Sequence, residues 1–107
     1  MKIYIEDEDL KELIETGSCT SNKFKRYVRN KKFMEGLNNV IGVMHAVQNT
    51  QGLKAYSFLH YERLKHRPES SVRIVNNMVE RLLFLETDDG IEITILEIND
   101  DHYGNKK

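Results

Sequence analysis

The apolar pattern of this chain changes period partway along, and that change sets the fold class. Phe33, Leu37, Val40, Ile41, Met44 and Val47 recur at three- and four-residue spacing, which predicts one long amphipathic helix. From Ser71 the repeat shortens to two. Ser71 to Val75 and Glu80 to Glu86 are rich in β-branched or apolar residues, and Ile91, Ile93 and Ile95 alternate with Glu92 and Thr94. Asn76-Asn77 and Asp88-Asp89-Gly90 supply the turns, because Asn and Gly tolerate positive φ. Lys2 to Ile5 reads as a short first strand. Asp7 or Asp9 then caps a helix carrying Leu10, Leu13 and Ile14, closed at Gly17-Ser18. Leu53 to Leu64 predicts a short helix or an ordered loop, and Pro68 a break. The order β-α-α-β-β-β predicts an α+β fold, with helices on one face of a small, mainly antiparallel sheet.

At 107 residues the chain has room for one core, so residues 1–107 read as a single domain. No apolar run approaches the roughly 20 residues of a membrane helix, and the N-terminus lacks the apolar core of a signal peptide. Cys19 is the one cysteine, which excludes an internal disulfide framework and a multi-thiolate metal site. A cytoplasmic protein with no cofactor, metal or membrane partner is the simplest expectation.

The net charge of −1 conceals an asymmetry. Residues 1–16 set two lysines against six acids, residues 17–85 twelve Lys/Arg against four acids, and residues 86–107 two lysines against seven acids. The segments therefore carry −4, +8 and −5. A basic middle suits a protein that meets phosphates on one face. Equally, folding brings the segments together and they neutralise one another. Lys23 to Lys32 holds six basic residues in ten, with Phe24 and Tyr27 among them. It reads either as a phosphate-contacting strip or as a solvated helix face with two aromatics in the core. His45 reads as a surface or boundary residue of the long helix.

Three stretches together resemble the RelE/ParE superfamily of bacterial toxins, nearest its HigB-like branch. Tyr61-Glu62-Arg63-Leu64-Lys65 resembles that family's E-x-L-K segment. Ser71-Val72-Arg73-Ile74 with Arg81-Leu82-Leu83-Phe84 resembles its arginine hairpin. Ile95 to Tyr103 resembles its terminal strand, which ends in a histidine-tyrosine element. With the first strand and two helices, the resemblance spans nearly the whole chain.

The resemblance implies the toxin of a toxin–antitoxin pair, acting as a metal-independent, ribosome-dependent mRNA endoribonuclease. RNA supplies its own 2′-OH nucleophile. The protein must take that proton, steady the charge on phosphorus and protonate the leaving oxygen. His102 is the candidate acid or base, with Asp100 orienting it. Arg73 and Arg81 are the candidate phosphate clamp. Lys65, Lys23, Lys25 and Arg26 are candidate RNA contacts, and Tyr103 a candidate stacking residue. Cross-strand pairing of the two arginines with Glu80, Glu92 or Glu97 stands as the plainer reading of those residues, and a tail residue as the plainer reading of His102. The implied partners are a cognate antitoxin, mRNA and the ribosome. The alternative is a non-catalytic member that binds a protein target such as gyrase, or only its antitoxin.

Overall fold

In a computed structural model the described residues are 1–100. The first strand, β1 (Lys2–Ile5), leads into helix α1 (Glu8–Thr16). Asp7 caps α1: its carboxylate accepts from the N–H groups of Asp9 and Leu10 at 2.8 and 3.1 Å. Gly17 ends it at φ 78°, donating to the Leu13 carbonyl at 2.9 Å. Glycine, with no Cβ, adopts that left-handed conformation without strain. A 3₁₀ turn (Asn22–Phe24) and the single turn α2 (Lys25–Val28) follow. The long helix α3 spans Lys31–Ala46, capped by the Asn30 side chain on the N–H of Phe33. Two 3₁₀ segments, Thr50–Ala55 and Ser57–Leu59, occupy the stretch that the sequence left between helix and loop.

The remaining elements are strands β2 (Glu62–Arg63), β3 (Ser70–Arg73), β4 (Arg81–Glu86) and β5 (Glu92–Asn99). They form one five-stranded sheet in the order β1-β5-β4-β3-β2. All neighbours are antiparallel except β1, which lies parallel to β5 with Ile3 opposite Ile93 and Ile5 opposite Ile95. The long connection through α1 to β4 makes that parallel pairing possible.

The helices cover one face of the sheet. Leu10, Leu13, Phe33, Leu37 and Met44 are fully buried with Val72, Leu82, Phe84 and Ile95 in one core cluster. Burying each such side chain contributes roughly 1.5–3 kcal/mol. A one-residue slip of β5 would exchange Ile93 and Ile95 for Glu92 and Thr94, so this term alone fixes the register. The register then breaks once: Leu83 faces Glu97 but Phe84 faces Ile95, leaving Leu96 as an extra residue in β5. This bulge explains why Ile95 and Ile98, an odd number of residues apart, both pack on the core. It also turns Glu97 and Asn99 to the opposite face, where the arginines lie.

Candidate functional site

The register sets Arg73 directly opposite Arg81, and Arg81 directly opposite Asn99. Residues paired across an antiparallel ladder point to the same face, so the three make a row across one end of the sheet, away from the helices. Two residues along, Ser71 and Leu83 extend that face and are themselves fully buried. Arg81 Nη1 reaches the Ser71 hydroxyl at 3.4 Å and the His60 carbonyl at 3.5 Å. Arg73 Nη1 donates to the Asn76 carbonyl at 2.9 Å. Its Nε is buried and has no acceptor among the described residues. Neither guanidinium forms an ion pair among the described residues, so the pairing with Glu80, Glu92 or Glu97 open to the sequence does not occur there.

Charge in the Lys23–Lys32 strip is handled differently. Lys23 Nζ lies 2.6 Å from Asp7, and Arg26 Nη2 lies 2.7 Å from Asp100. The hydrogen bond from Lys23 holds the Asp7 carboxyl below the usual carboxylate range and pushes the Lys23 amine up. Asp100, then the Tyr27 hydroxyl, push the Arg26 guanidinium up in the same way. Arg26 also lies over the Tyr27 ring, 4.7 Å from its centroid, and donates to the Tyr27 oxygen at 2.8 Å. Tyr27 in turn donates to Glu80 at 3.2 Å. Burial, then the nearby Glu80 carboxylate, raise the Tyr27 phenol. Phe24 and Tyr27 are buried, Tyr27 stacked on Phe33 at 4.3 Å, so these aromatics serve the core. Lys25 is exposed.

The structure therefore brings Arg73 and Arg81 together and puts Asp100 beyond Asn99 on Arg26. It does not bring Lys65 to them. Lys65 sits at the β2–β3 turn, where the Leu64 N–H donates to the Glu69 carbonyl, whereas Arg73 ends β3 about 10 Å of strand away. His102 and Tyr103 lie outside the described residues.

Two residues join the arginine cluster that sequence reading did not place there. Glu62 faces Ser71 across β2–β3 and so shares the arginine face. His60 touches Arg81 through its carbonyl and carries an exposed side chain. The signal for both was a strand at Glu62–Arg63, invisible in so short and polar a stretch.

A cleft of about 350 Å³ lies elsewhere, with Asp7, Lys23 and Phe24 on one side and Leu96, Glu97 and Ile98 on the other. Its carboxylates outnumber its one amine, so it does not suit a phosphate. Asp9, Glu12 and Cys19 bring ligand-type atoms within 4.8 Å of one another. Those groups close the loop after α1: Cys19 Sγ donates to the Asp9 carbonyl at 3.6 Å, and Glu12 accepts from the Thr20 N–H at 3.3 Å. No described helix is long and apolar enough to cross a membrane.

No protein-family model matches the chain. No curated protein matches it either. Among solved structures, the YoeB/ParE toxin from Agrobacterium tumefaciens is similar, with a TM-score of 0.53 over 95% of this chain and 100% of that one. Sequence identity is 15%, so the likeness carries the fold alone. The expected α+β architecture, helices on one face of a small and mainly antiparallel sheet, is thereby shown and matches the fold of that toxin.

Proposed function

We propose that this chain is the toxin of a toxin–antitoxin pair, of the HigB-like kind, and cleaves mRNA on the ribosome. The reaction is attack of a 2′-OH on the adjacent phosphate. One observation carries the reading: Arg73 and Arg81 stand directly opposite each other on the sheet face, and neither forms an ion pair among the described residues. Like charges placed opposite destabilise a ladder. A bound phosphate reverses that cost, since each guanidinium can clamp two of its oxygens.

In this reading the arginines hold the scissile phosphate and steady the charge gained on phosphorus. His102 protonates the leaving oxygen or takes the 2′-OH proton. Glu62 and His60 supply a second carboxylate and imidazole beside the same arginines. Asp100 meets Arg26, so its orienting role toward His102 requires that ion pair to exchange. Lys23, Lys25, Arg26, Lys65 and Tyr103 contact flanking RNA. An antitoxin and the ribosome are the partners, in the bacterial cytoplasm.

The test is cleavage of mRNA on programmed ribosomes by the purified chain and by its Arg73→Ala, Arg81→Ala and His102→Ala variants. Loss of either arginine is expected to slow cleavage about 10²–10³-fold. Undiminished cleavage by all three variants would overturn the assignment.

A second reading, a non-catalytic toxin that binds a protein such as gyrase, draws on the ion pairs that engage Lys23 and Arg26. Growth arrest on overexpression, with translation and DNA supercoiling measured separately, divides the two. Arrest with supercoiling lost and translation intact favours the second.

A further inference from the structure

Two large aromatic side chains stand in solvent close to the arginine row. Tyr56 and Phe58 keep 37% and 42% of their surface exposed, with ring centroids 6.0 Å apart at 79°. The segment carrying them is fixed in place. Tyr56 N–H donates to Leu53 carbonyl at 3.1 Å, Leu59 N–H to Tyr56 at 3.0 Å and His60 N–H to Ser57 at 3.2 Å. Leu53 and Leu59, on either side of the pair, are fully buried. His60 then turns through a left-handed conformation at φ 48°, and its carbonyl accepts from Arg81. Phe58 is two residues from His60, so their Cα atoms are at most about 7.6 Å apart.

The chain on either side of the pair is net basic. Between Leu53 and Arg63 the chain carries Lys54, His60 and Arg63 against the single carboxylate of Glu62. Exposed rings set in an apolar patch would suit a protein partner. Exposed rings on a tied-down segment that also carries Lys54 and Arg63 suit single-stranded nucleic acid, which lays phosphates on cations and bases on rings. We propose that Tyr56 and Phe58 form a stacking platform for a nucleobase of single-stranded RNA whose neighbouring phosphate lies on Arg81 and Arg73. The inference rests on the RNA-cleaving reading above and adds to it the element that grips a base.

The test compares two fluorescein-labelled probes, a hexa-adenylate and an abasic hexamer with the same phosphates, by anisotropy at fixed salt. The wild-type chain is expected to prefer the hexa-adenylate at least about fivefold. Tyr56→Ala and Phe58→Ala should each remove most of that preference without changing affinity for the abasic probe. Arg81→Ala should weaken both probes. Phe58→Trp should keep the preference and Phe58→Leu should lose it, which separates stacking from apolar contact and from a folding defect. Equal binding of the two probes by wild type, an unchanged preference in the alanine variants, or an unchanged preference in Phe58→Leu would each overturn the platform. If wild type binds neither probe, the platform fails, and cleavage on programmed ribosomes decides the RNA reading separately. If only the arginine variants lose binding, the RNA reading stands and the platform alone is lost.

Discussion

Glu86 and Arg73 show opposite ways of placing a charge in this sheet. Glu86 sits on the helix-facing side of β4, where burial alone would raise its carboxyl. The Ser70, Tyr61 and Thr50 hydroxyls donate to it at 2.6, 2.6 and 2.8 Å and reverse that, aided by the nearby charge of Arg63, so the net shift is downward. A folded-state value below the ordinary 4.5 means the stabilisation is present above 4.5 and is lost as pH falls through the folded value. Glu86→Gln is therefore expected to lower stability by about 1–3 kcal/mol at neutral pH, the scale of a hydrogen bond to a charged group. The gap from wild type should close as pH falls from 4.5 through the lower folded value, because both proteins then carry a neutral side chain. Thermal melts of the two across that range test it: a constant gap would mean the carboxylate's charge is irrelevant. Asp7, Glu69 and Asp89 are also held low. They titrate alike in both proteins, so the difference isolates Glu86. Arg73 has the reverse arrangement, a buried Nε with no acceptor among the described residues. A donor left without its acceptor is costly in a folded protein, which is why the arginine row reads as a site and the Glu86 cluster as a structural tie.

Helix α3 shows how closely the elements are set, and two of its glycines test that in opposite directions. A Cβ on Gly36 would fall 2.6 Å from the Ile74 carbonyl oxygen and 2.9 Å from Val75 Cγ2, so α3 seats directly on the end of β3. A Cβ on Gly42 would meet nothing within 4 Å. Gly36→Ala is expected to destabilise by about 1–3 kcal/mol, since overpacking against backbone outweighs the gain in helix propensity. Gly42→Ala is expected to stabilise by up to about 1 kcal/mol, because only propensity acts there. Urea denaturation of both decides it, and a stabilised Gly36→Ala would mean the helix is not held against β3. The same contrast explains what could be read in the sequence. The Asp7 cap, the Gly17 stop and the run from Phe33 to Met44 are local chemistry and were legible. Strand β2 was not, because Glu62 and Arg63 are polar and become a strand only by pairing with Ser71 and Ser70. Nor was the bulge at Leu96, which depends on the partner strand and decides that Asn99 shares a face with Arg81. The arginine pair was legible as residues but not as a row, and Glu62, His60 and the distance to Lys65 needed the register.

Across the whole molecule the charge segments do meet, as one of the two readings of the −4, +8 and −5 pattern required. The acidic start reaches the basic strip at Asp7–Lys23, and the acidic end reaches it at Asp100–Arg26. Both pairs are at the surface, where an ion pair is worth about 0–1 kcal/mol. Such contacts do little for stability, yet each sets a carboxylate where a phosphate would otherwise sit. Neither arginine of the row forms an ion pair among the described residues, so the row remains open to an anion. Asp7→Asn and Asp100→Asn test this cleanly. Asn caps a helix about as well as Asp, so α1 survives the first change, and the second lies past the last strand. Each variant is expected to melt within about 1 kcal/mol of wild type. If Lys23 and Arg26 then contact phosphate, the dependence of RNA affinity on salt steepens. The slope of log K against log salt should grow by about 0.7 for each lysine or arginine released, and by about 1.4 in the double variant. Slopes equal to that of wild type would mean that these two cations serve the fold alone, and that RNA is held by the arginine row without the strip.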